Sequence, residues 1–281
     1  MPGAAGRLSG KAISADGTPI AFDRYGAGPA VVLVHGAFTD KGHVTLAGVS
    51  AALSPWFTVF NYDRRGRGDS GDTRPYAVER EIEDLAAVIE AAGGSAMVFG
   101  GSSGAALVLE AAAAGLGSGS VEALEKGPVI ERLAVWEPPY HVDDSAPELP
   151  ADFAARLDEL VRAGRPGAAV ELFMVEAAEV PAGAVAAMRA QPFWAQVEAV
   201  AQTLAYEAAV LGPGNALPAA RLGTIAQPTL VLNGAVSPAW MANAGTAVTA
   251  AVPGAVRRVL HGQGHDVAPE ALAPELLEFF A

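Results

Sequence analysis

Six short, mostly apolar runs recur along the 281-residue sequence, and they restrict its fold more than any other feature. Glycine, proline or polar residues bound each run, so each has the length of a strand rather than of a helix. A strand that is apolar at nearly every position must be buried on both faces, as strands are in a parallel sheet. The runs are Ala30–Val34, Trp56–Tyr62, Ala96–Phe99, Leu133–Trp136, Thr229–Leu232 and Val256–Leu260. Two shorter strands are predicted before them, Lys11–Ala15 and Ile20–Arg24.

Helical patterns fill most of the intervals between these runs. In Glu79–Ala92, for example, Ile82, Leu85 and Ile89 recur at spacings of three and four residues, which places them on one helical face. The other helical patterns are Ser103–Ala114, Ala242–Val252 and Pro269–Phe280. The alternation predicts an α/β fold with a mostly parallel central sheet of about eight strands flanked by helices.

One long region interrupts this alternation. Residues 139–221 lack a strand pattern and contain helical segments separated by prolines. These segments are Asp152–Ala163, Gly167–Ala178, Ala182–Arg189 and Phe193–Leu211. We predict a helical cap, residues 139–221, inserted in an α/β core formed by residues 1–138 and 222–281. Within the core, Gly115–Ser120 predicts a flexible loop.

A serine motif stands between a predicted strand and a predicted helix. Gly100-Gly101-Ser102-Ser103-Gly104 matches G-x-S-x-G, in which the central serine occupies a strained turn and needs small neighbours. The turn exposes the serine Oγ at a helix N-terminus, where peptide dipoles favour developing negative charge. We predict that Ser102 is a nucleophile. The alternative is a phosphate or dinucleotide loop, although neither G-x-G-x-x-G nor Gly-Lys-Ser/Thr is present here.

Two backbone N–H groups near Ser102 are candidates for an oxyanion hole. His35-Gly36-Ala37-Phe38 follows the first apolar run, so an N–H group of this turn can face Ser102 from the neighbouring strand end. The residue after the nucleophile supplies the second donor. We therefore predict that the N–H groups of Ala37 and Ser103 bind the oxyanion.

A serine nucleophile also needs a base within hydrogen-bond distance, and the chain has five histidines. His265 lies in a glycine-flanked loop after the last predicted strand. Its late place suits the order nucleophile, acid, base. We predict that His265 is the general base, and the alternative is an ordinary loop histidine at the surface.

Together these segments resemble the α/β-hydrolase superfamily, in its serine-hydrolase form with a helical cap. The likeness runs over nearly the whole sequence and includes His35-Gly36-Ala37, Asp63–Ser70, Gly100–Gly104 and Gly264-His265-Asp266. In the family, the D-x-R-G-x-G-x-S turn that Asp63–Ser70 matches is usually structural. Phosphate binding by Arg64, Arg65 and Arg67 is the alternative.

The acid of the triad departs from the family pattern. The resemblance places it after the seventh strand, where this sequence has Ser237, and a serine cannot carry the charge that stabilises an imidazolium. Glu137, which ends the fourth apolar run, is the best substitute, because some capped relatives take their acid from that strand end. The alternative for Glu137 is a structural role at the cap entrance. Lesser candidates for the acid are Asp143, Asp144 and Asp266.

Apolar side chains near the strand ends and in the cap predict an apolar substrate pocket. The preferred lining residues are Phe38, Trp136, Tyr140, Met188 and Trp194. Other large apolar residues of the cap are Phe173, Met174, Phe193 and Tyr206. At helical spacing, such residues more often form the core of the cap itself, which is the alternative.

Composition limits the partners of the chain. Lys and Arg total 18 and Asp and Glu total 31, and the net charge of −13 opposes nucleic acid or an anionic membrane as a partner. The absence of cysteine excludes thiolate nucleophiles, disulfides and cysteine-based metal sites, and it fits a reducing cytoplasm. Met1–Lys11 lacks the apolar stretch of a signal peptide. We expect a cytoplasmic protein, as a monomer or homodimer.

These observations lead to one expectation and two rivals. We expect a serine hydrolase, without cofactor or metal, that cleaves a small or medium apolar ester, lactone or thioester through an acyl-enzyme on Ser102. A non-hydrolytic enzyme on the same scaffold, such as a lyase, cyclase or perhydrolase, is one alternative, motivated by the serine at position 237. A ligand-binding protein with a degenerate triad is the other.

Overall fold

The computed structural model describes residues 6–116 and 127–281. Residues 1–5 and most of the predicted loop Gly115–Ser120 lie outside this range. The strands are β1 (Leu8–Ile13), β2 (Pro19–Tyr25), β3 (Ala30–Val34), β4 (Thr58–Tyr62), β5 (Ser95–Gly101), β6 (Val129–Trp136), β7 (Thr229–Gly234) and β8 (Val256–Leu260).

These eight strands form one sheet in the order β1-β2-β4-β3-β5-β6-β7-β8. β2 runs antiparallel to both of its neighbours, and every pair from β4 across to β8 is parallel. The predicted α/β fold with a mostly parallel sheet of about eight strands is therefore confirmed. The apolar runs form strands because helices cover both faces of this sheet and exclude water from them.

Helices follow most of the strands. Their bounds are α1 (Val44–Leu53), α2 (Val78–Ala91), α3 (Ser103–Ala113), α4 (Phe153–Arg162), α5 (Pro166–Glu176), α6 (Ala182–Arg189), α7 (Trp194–Ala199), α8 (Leu204–Leu211), α9 (Ala219–Leu222), α10 (Ala239–Ala251) and α11 (Pro269–Phe280). The side chains of β3 show how the helices cover the sheet, because successive side chains of a strand point to opposite faces of the sheet. Val31 and Leu33 pack with residues of α1 and α11, whereas Val32 and Val34 pack with residues of α2, α3 and α10.

Between β6 and β7, the described chain forms helices rather than strands of the sheet. We call residues 139–221 the cap segment. It has an apolar cluster of its own, which includes Leu157, Val170 and Trp194. The single helix predicted for Phe193–Leu211 is divided into α7, a 3₁₀ turn at Ala201–Thr203, and α8. The division of the chain into a core and a cap domain stays a prediction.

The strand order places a crevice beside the end of β3. The chain leaves β3 for β4 on one side, and then crosses to β5 on the other side of β3. Such a reversal of direction separates the loops after the two central strands, which is where open α/β sheets bind ligands. The loops after β3 and β5 carry Ala37 and Ser102. None of the helices formed by residues 6–116 and 127–281 has the length and hydropathy to cross a membrane.

Candidate active site

Ser102 occupies a sharp turn between β5 and α3. Its backbone has φ 55° and ψ −125°, a strained conformation for a residue with a side chain. The Ser102 N–H donates to the carbonyl of Trp136, 2.8 Å away, which ties the turn to the end of β6. A Cβ at Gly100 would lie 2.5 Å from the carbonyl oxygen of Gly104, so the turn requires glycine there. The G-x-S-x-G pattern therefore has the strained geometry that its spacing predicts.

The turn after β3 lies directly against Ser102. A Cβ at Gly36 would come within 2.9 Å of the Ser102 Cβ and 3.0 Å of the Gly101 carbonyl oxygen, so only glycine permits this approach. The preceding residue, His35, is buried, and burial lowers its pKa to about 3, so the imidazole is neutral at physiological pH. Its Nε2 faces the Asn61 Oδ1. The buried contact between His35 and Asn61 therefore anchors the start of this turn.

His265 joins Ser102 to a carboxylate. Its Nε2 lies 3.2 Å from the Ser102 Oγ, and its Nδ1 lies 2.8 Å from the Glu137 Oε2. The indole N–H of Trp136 donates to the backbone carbonyl of His265, 2.9 Å away, and so holds the loop after β8 against the end of β6. The structure therefore brings together the three side chains that the sequence predicts as nucleophile, base and acid.

Glu137 is fully buried at the end of β6. Its backbone has φ 44°, an uncommon value for a residue other than glycine, and this turns the side chain toward β7. One carboxylate oxygen accepts the Gly234 N–H at 2.7 Å, and the other faces His265. A buried carboxylate with a hydrogen bond to each oxygen has both of its acceptor atoms satisfied. Glu137 therefore has a defined direction toward the imidazole.

Ser237, at the position where the resemblance placed the acid, follows β7. Its hydroxyl is buried, and it has no hydrogen-bond partner among the residues that the structure describes. It makes no described contact with His265. The geometry consequently assigns the carboxylate beside the imidazole to Glu137, from the neighbouring strand.

A cavity of about 240 Å³ opens at Ser102. Its apolar wall includes Phe38, Phe99 and Trp136 from the core and Phe173 from α5. Phe38 and Phe173 meet edge to face, with ring centroids 5.3 Å apart, so the cap segment closes one side of the cavity. Ala37, Ser102 and His265 line the same space.

A model of the alpha/beta hydrolase family matches residues 31–276, from β3 to α11. The chain belongs to the alpha/beta hydrolase family. The matched range contains Ser102, Glu137 and His265, together with the turn after β3 that lies against Ser102. The family membership predicted from the sequence is therefore confirmed.

Several proteins of known structure or sequence resemble this alpha/beta hydrolase. An alpha/beta hydrolase from Sphaerobacter thermophilus is 52% identical over 97% of this chain and 100% of its own, with a TM-score of 0.87. An enol-lactonase from Burkholderia xenovorans, at 22% identity over 96% and 99% of the two chains and a TM-score of 0.64, shares the fold. The uncharacterized hydrolase YraK of Bacillus subtilis is 36% identical over 100 residues, 34% of this chain and 35% of its own length. The aligned chain thus spans only about a third of that relative.

Three predicted pocket residues of the hydrolase lie away from the cavity at Ser102. Tyr140 is fully buried in the core cluster that includes residues of α3. Met188 and Trp194 pack within the apolar cluster of the cap segment, and the Trp194 indole N–H donates to Glu198. Met188 and Trp194 therefore belong to the core of the cap segment, which was the alternative to lining the substrate pocket. Phe173 takes the lining position in their place.

The phosphate-binding alternative for Arg64, Arg65 and Arg67 conflicts with the geometry. All three guanidinium groups are buried, and each is paired with a carboxylate of the protein. A buried arginine that is already paired has no free edge for a phosphate. Within the part of the chain that the structure describes, no group of three or more His, Asp or Glu side chains is arranged to hold a metal.

Proposed function

We propose that this alpha/beta hydrolase is a serine hydrolase of small or medium apolar carboxylic esters, lactones or thioesters. The observation that carries the proposal is the continuous chain of hydrogen-bond contacts from the Ser102 Oγ through His265 to Glu137. Nucleophile, base and orienting acid in this sequence of contacts are the arrangement that activates a serine hydroxyl.

In the proposed reaction, the Ser102 Oγ attacks the carbonyl carbon of the substrate. The His265 Nε2 takes the hydroxyl proton, and Glu137 stabilises the resulting imidazolium through Nδ1. The oxygen that gains negative charge accepts hydrogen bonds from the N–H groups of Ala37 and Ser103.

The tetrahedral intermediate then collapses. The bond from carbon to the leaving group breaks, and His265 donates its proton to the departing alcohol or thiol, which leaves an acyl ester on Ser102. Water attacks this ester with His265 again as the base, and the acid is released with Ser102 restored. Atoms and charges balance without a cofactor.

The walls of the cavity support an uncharged acyl group as the substrate. Aromatic rings form much of the surface beside Ser102, and the described residues that line the cavity include no lysine or arginine. An anionic acyl group would lose its hydration here without gaining a cationic partner. A volume of about 240 Å³ lies below the usual range for drug-sized ligands, which favours a small acyl group.

Labelling with a fluorophosphonate and hydrolysis of p-nitrophenyl acetate test the proposal. We expect the folded wild-type protein to become labelled at Ser102 and to turn over the ester. Ser102→Ala should abolish labelling and lower kcat by about 10⁶-fold, as removal of a triad serine does. Ser54→Ala is the matched control, since Ser54 is a half-buried serine whose hydroxyl, among the described residues, donates only to the carbonyl of Ala51.

An unlabelled wild-type protein that hydrolyses no activated ester would overturn the proposal. Labelling that persists in Ser102→Ala would do so as well.

A further inference from the structure

Two buried arginines lie directly behind the turn that faces Ser102. Arg64 and Arg67 are 1% and 2% exposed, although they come from a loop after β4. Arg67 Nη1 donates to the carbonyl of Gly36, and Arg64 Nη1 donates to the carbonyl of His35 at 3.2 Å. Two consecutive carbonyl groups of the turn are therefore held by guanidinium groups.

The contact at Gly36 determines the direction of the next N–H group. The Gly36 carbonyl and the Ala37 N–H belong to one peptide unit, which is planar and trans, so they point in opposite directions. Arg67 is not among the described residues that line the cavity, so we infer that the carbonyl oxygen it holds points away from that space. The Ala37 N–H is then directed to the opposite side, where Ala37 and Ser102 line the same cavity.

The charge of Arg67 adds to this orientation. A cationic donor on the carbonyl oxygen polarises the peptide unit and makes its N–H a stronger donor. An oxyanion donor is most effective when it is already oriented before charge develops. Arg67 thus supports the Ala37 N–H both in its direction and in its strength.

A glutamate of the cap segment secures the two arginines. Glu207, on α8, is fully buried, and its Oε2 accepts from Arg64 Nη1 at 2.9 Å. Its Oε1 contacts Arg67 Nη2. Glu81 binds the other edge of Arg64 through two hydrogen bonds of 2.7 Å, so two carboxylates balance two guanidinium charges. Neither charge of the pair Arg67–Glu207 is exposed to solvent.

We propose that Arg67 is a positioning residue for the oxyanion donor at Ala37, and that Glu207 of the cap segment holds Arg67 in place. This inference rests on the proposed function. It also gives the cap segment a second task beside closing the cavity, because a residue 143 positions from Arg64 in the sequence completes the support of the turn.

Arg65 provides a matched control for a purely structural role. It belongs to the same loop and is equally buried, and it binds Asp84 through two hydrogen bonds of 2.7 Å. Its other described contacts go to Asp16 and to the carbonyl of Arg80, away from the turn. Loss of Arg65 therefore removes a similar buried ion pair without touching the peptide unit between Gly36 and Ala37.

The experiment compares Arg67→Met with Arg65→Met. Steady-state kinetics with p-nitrophenyl acetate, inhibition by phenylboronic acid and thermal melting are measured for both. For Arg67→Met we expect kcat to fall about 10-fold to 100-fold, somewhat less than the loss of an entire oxyanion donor. KM should change by less than about threefold, because the lost interaction acts in the transition state. The boronic acid, which mimics the tetrahedral intermediate, should bind more weakly in proportion to the loss of kcat/KM.

Arg65→Met should lower the melting temperature while kcat stays within about threefold of wild type. Arg67→Lys should recover part of kcat, since its ammonium can still donate to the Gly36 carbonyl. If Arg67→Met does not fold, Arg67→Lys and Glu207→Gln replace it, and both should lower kcat at unchanged KM.

The inference alone is overturned if the wild-type protein hydrolyses the ester but the Arg67 variants keep its kcat. The same holds if Arg65→Met and Arg67→Met lose kcat equally. A wild-type protein that neither hydrolyses the ester nor reacts with a fluorophosphonate overturns the proposed function, and the inference with it.

Discussion

The ends of β6 and β7 are neighbours in the sheet, yet they contribute differently to the candidate site. Trp136 pairs with Leu232, so the residues that follow each strand are close together. After β6, the buried Glu137 uses one oxygen for His265 and the other for a backbone N–H. After β7, the buried hydroxyl of Ser237 has no hydrogen-bond partner within the described residues.

The carboxylate beside His265 therefore comes from the end of β6, whereas the end of β7 carries a neutral side chain. The Gly234 N–H at the end of β7 donates to Glu137, so this strand end now supports a carboxylate from its neighbour. A histidine base needs one carboxylate at Nδ1. The loop after β7 contacts the loop that carries His265, because the Val236 N–H donates to the carbonyl of Gln263 at 3.0 Å. Substitutions at Glu137 and Ser237 test this difference between the two strand ends.

The largest expected effect is that of Glu137→Gln. The glutamine oxygen can still accept the Gly234 N–H, which directs the amide NH₂ group toward His265 Nδ1. The imidazole must then carry its proton on Nε2, where it cannot accept the proton of Ser102. We expect kcat for an activated ester to fall by about 10⁴-fold, the effect of a triad acid replaced by its amide.

Ser237→Ala is the control for that measurement. Its kcat should stay within about twofold of wild type, because a buried neutral hydroxyl with no partner among the described residues does not stabilise the imidazolium. A near-normal kcat in Glu137→Gln would show that Glu137 is not the acid.

A smaller effect is expected when the acid is moved. In the background of Glu137→Ala, which leaves space beside His265, Ser237→Asp should raise kcat about tenfold or more over the single variant. A shorter carboxylate after β7 lacks the bond from Gly234 that orients Glu137, so recovery should stay well below wild type. No gain in kcat would mean that the end of β7 no longer has the geometry to hold an acid.

The smallest expected effect is on the free energy of unfolding, when the hydroxyl of Ser237 is removed. Ser237→Ala removes a buried hydroxyl that has no partner in the described chain. Loss of such a group should raise the free energy of unfolding by up to about 1 kcal/mol, as measured by urea denaturation. If Ser237→Ala instead lowers the free energy of unfolding by more than about 1 kcal/mol, the hydroxyl has a partner such as an ordered water.

Much of the fold could be predicted because the central strands, such as β3, β4, β5 and β7, are buried on both faces. All eight predicted strands are present, and Pro269–Phe280 has the predicted bounds. Helix α1 was not predicted, because Val44–Leu53 consists mostly of apolar and small residues and lacks a distinct polar face. The predicted helix Phe193–Leu211 is interrupted near Ala201–Thr203. This break could not be predicted, because residues 193–211 contain no proline or glycine.

Some residues of the candidate site could likewise be predicted from the sequence, and others could not. Ser102, His265 and Glu137 could be named because strand ends at one edge of a parallel sheet meet in space. Glu207 could not, since a glutamate on a helix is usually exposed and its partner lies 143 residues away. Met188 and Trp194 were assigned to the wrong surface, because helical spacing does not say which face of a cap helix meets the core.

The position of one proton on His265 decides whether Glu137 is the acid. In the proposed site, His265 carries its hydrogen on Nδ1, shared with Glu137, and Nε2 is free to accept from Ser102. NMR of the ¹⁵N-histidine-labelled protein, with the signal assigned by its absence in His265→Gln, should find the neutral imidazole protonated at Nδ1 in wild type and at Nε2 in Glu137→Gln. A wild-type imidazole already protonated at Nε2, or a tautomer that the substitution leaves unchanged, would contradict the account.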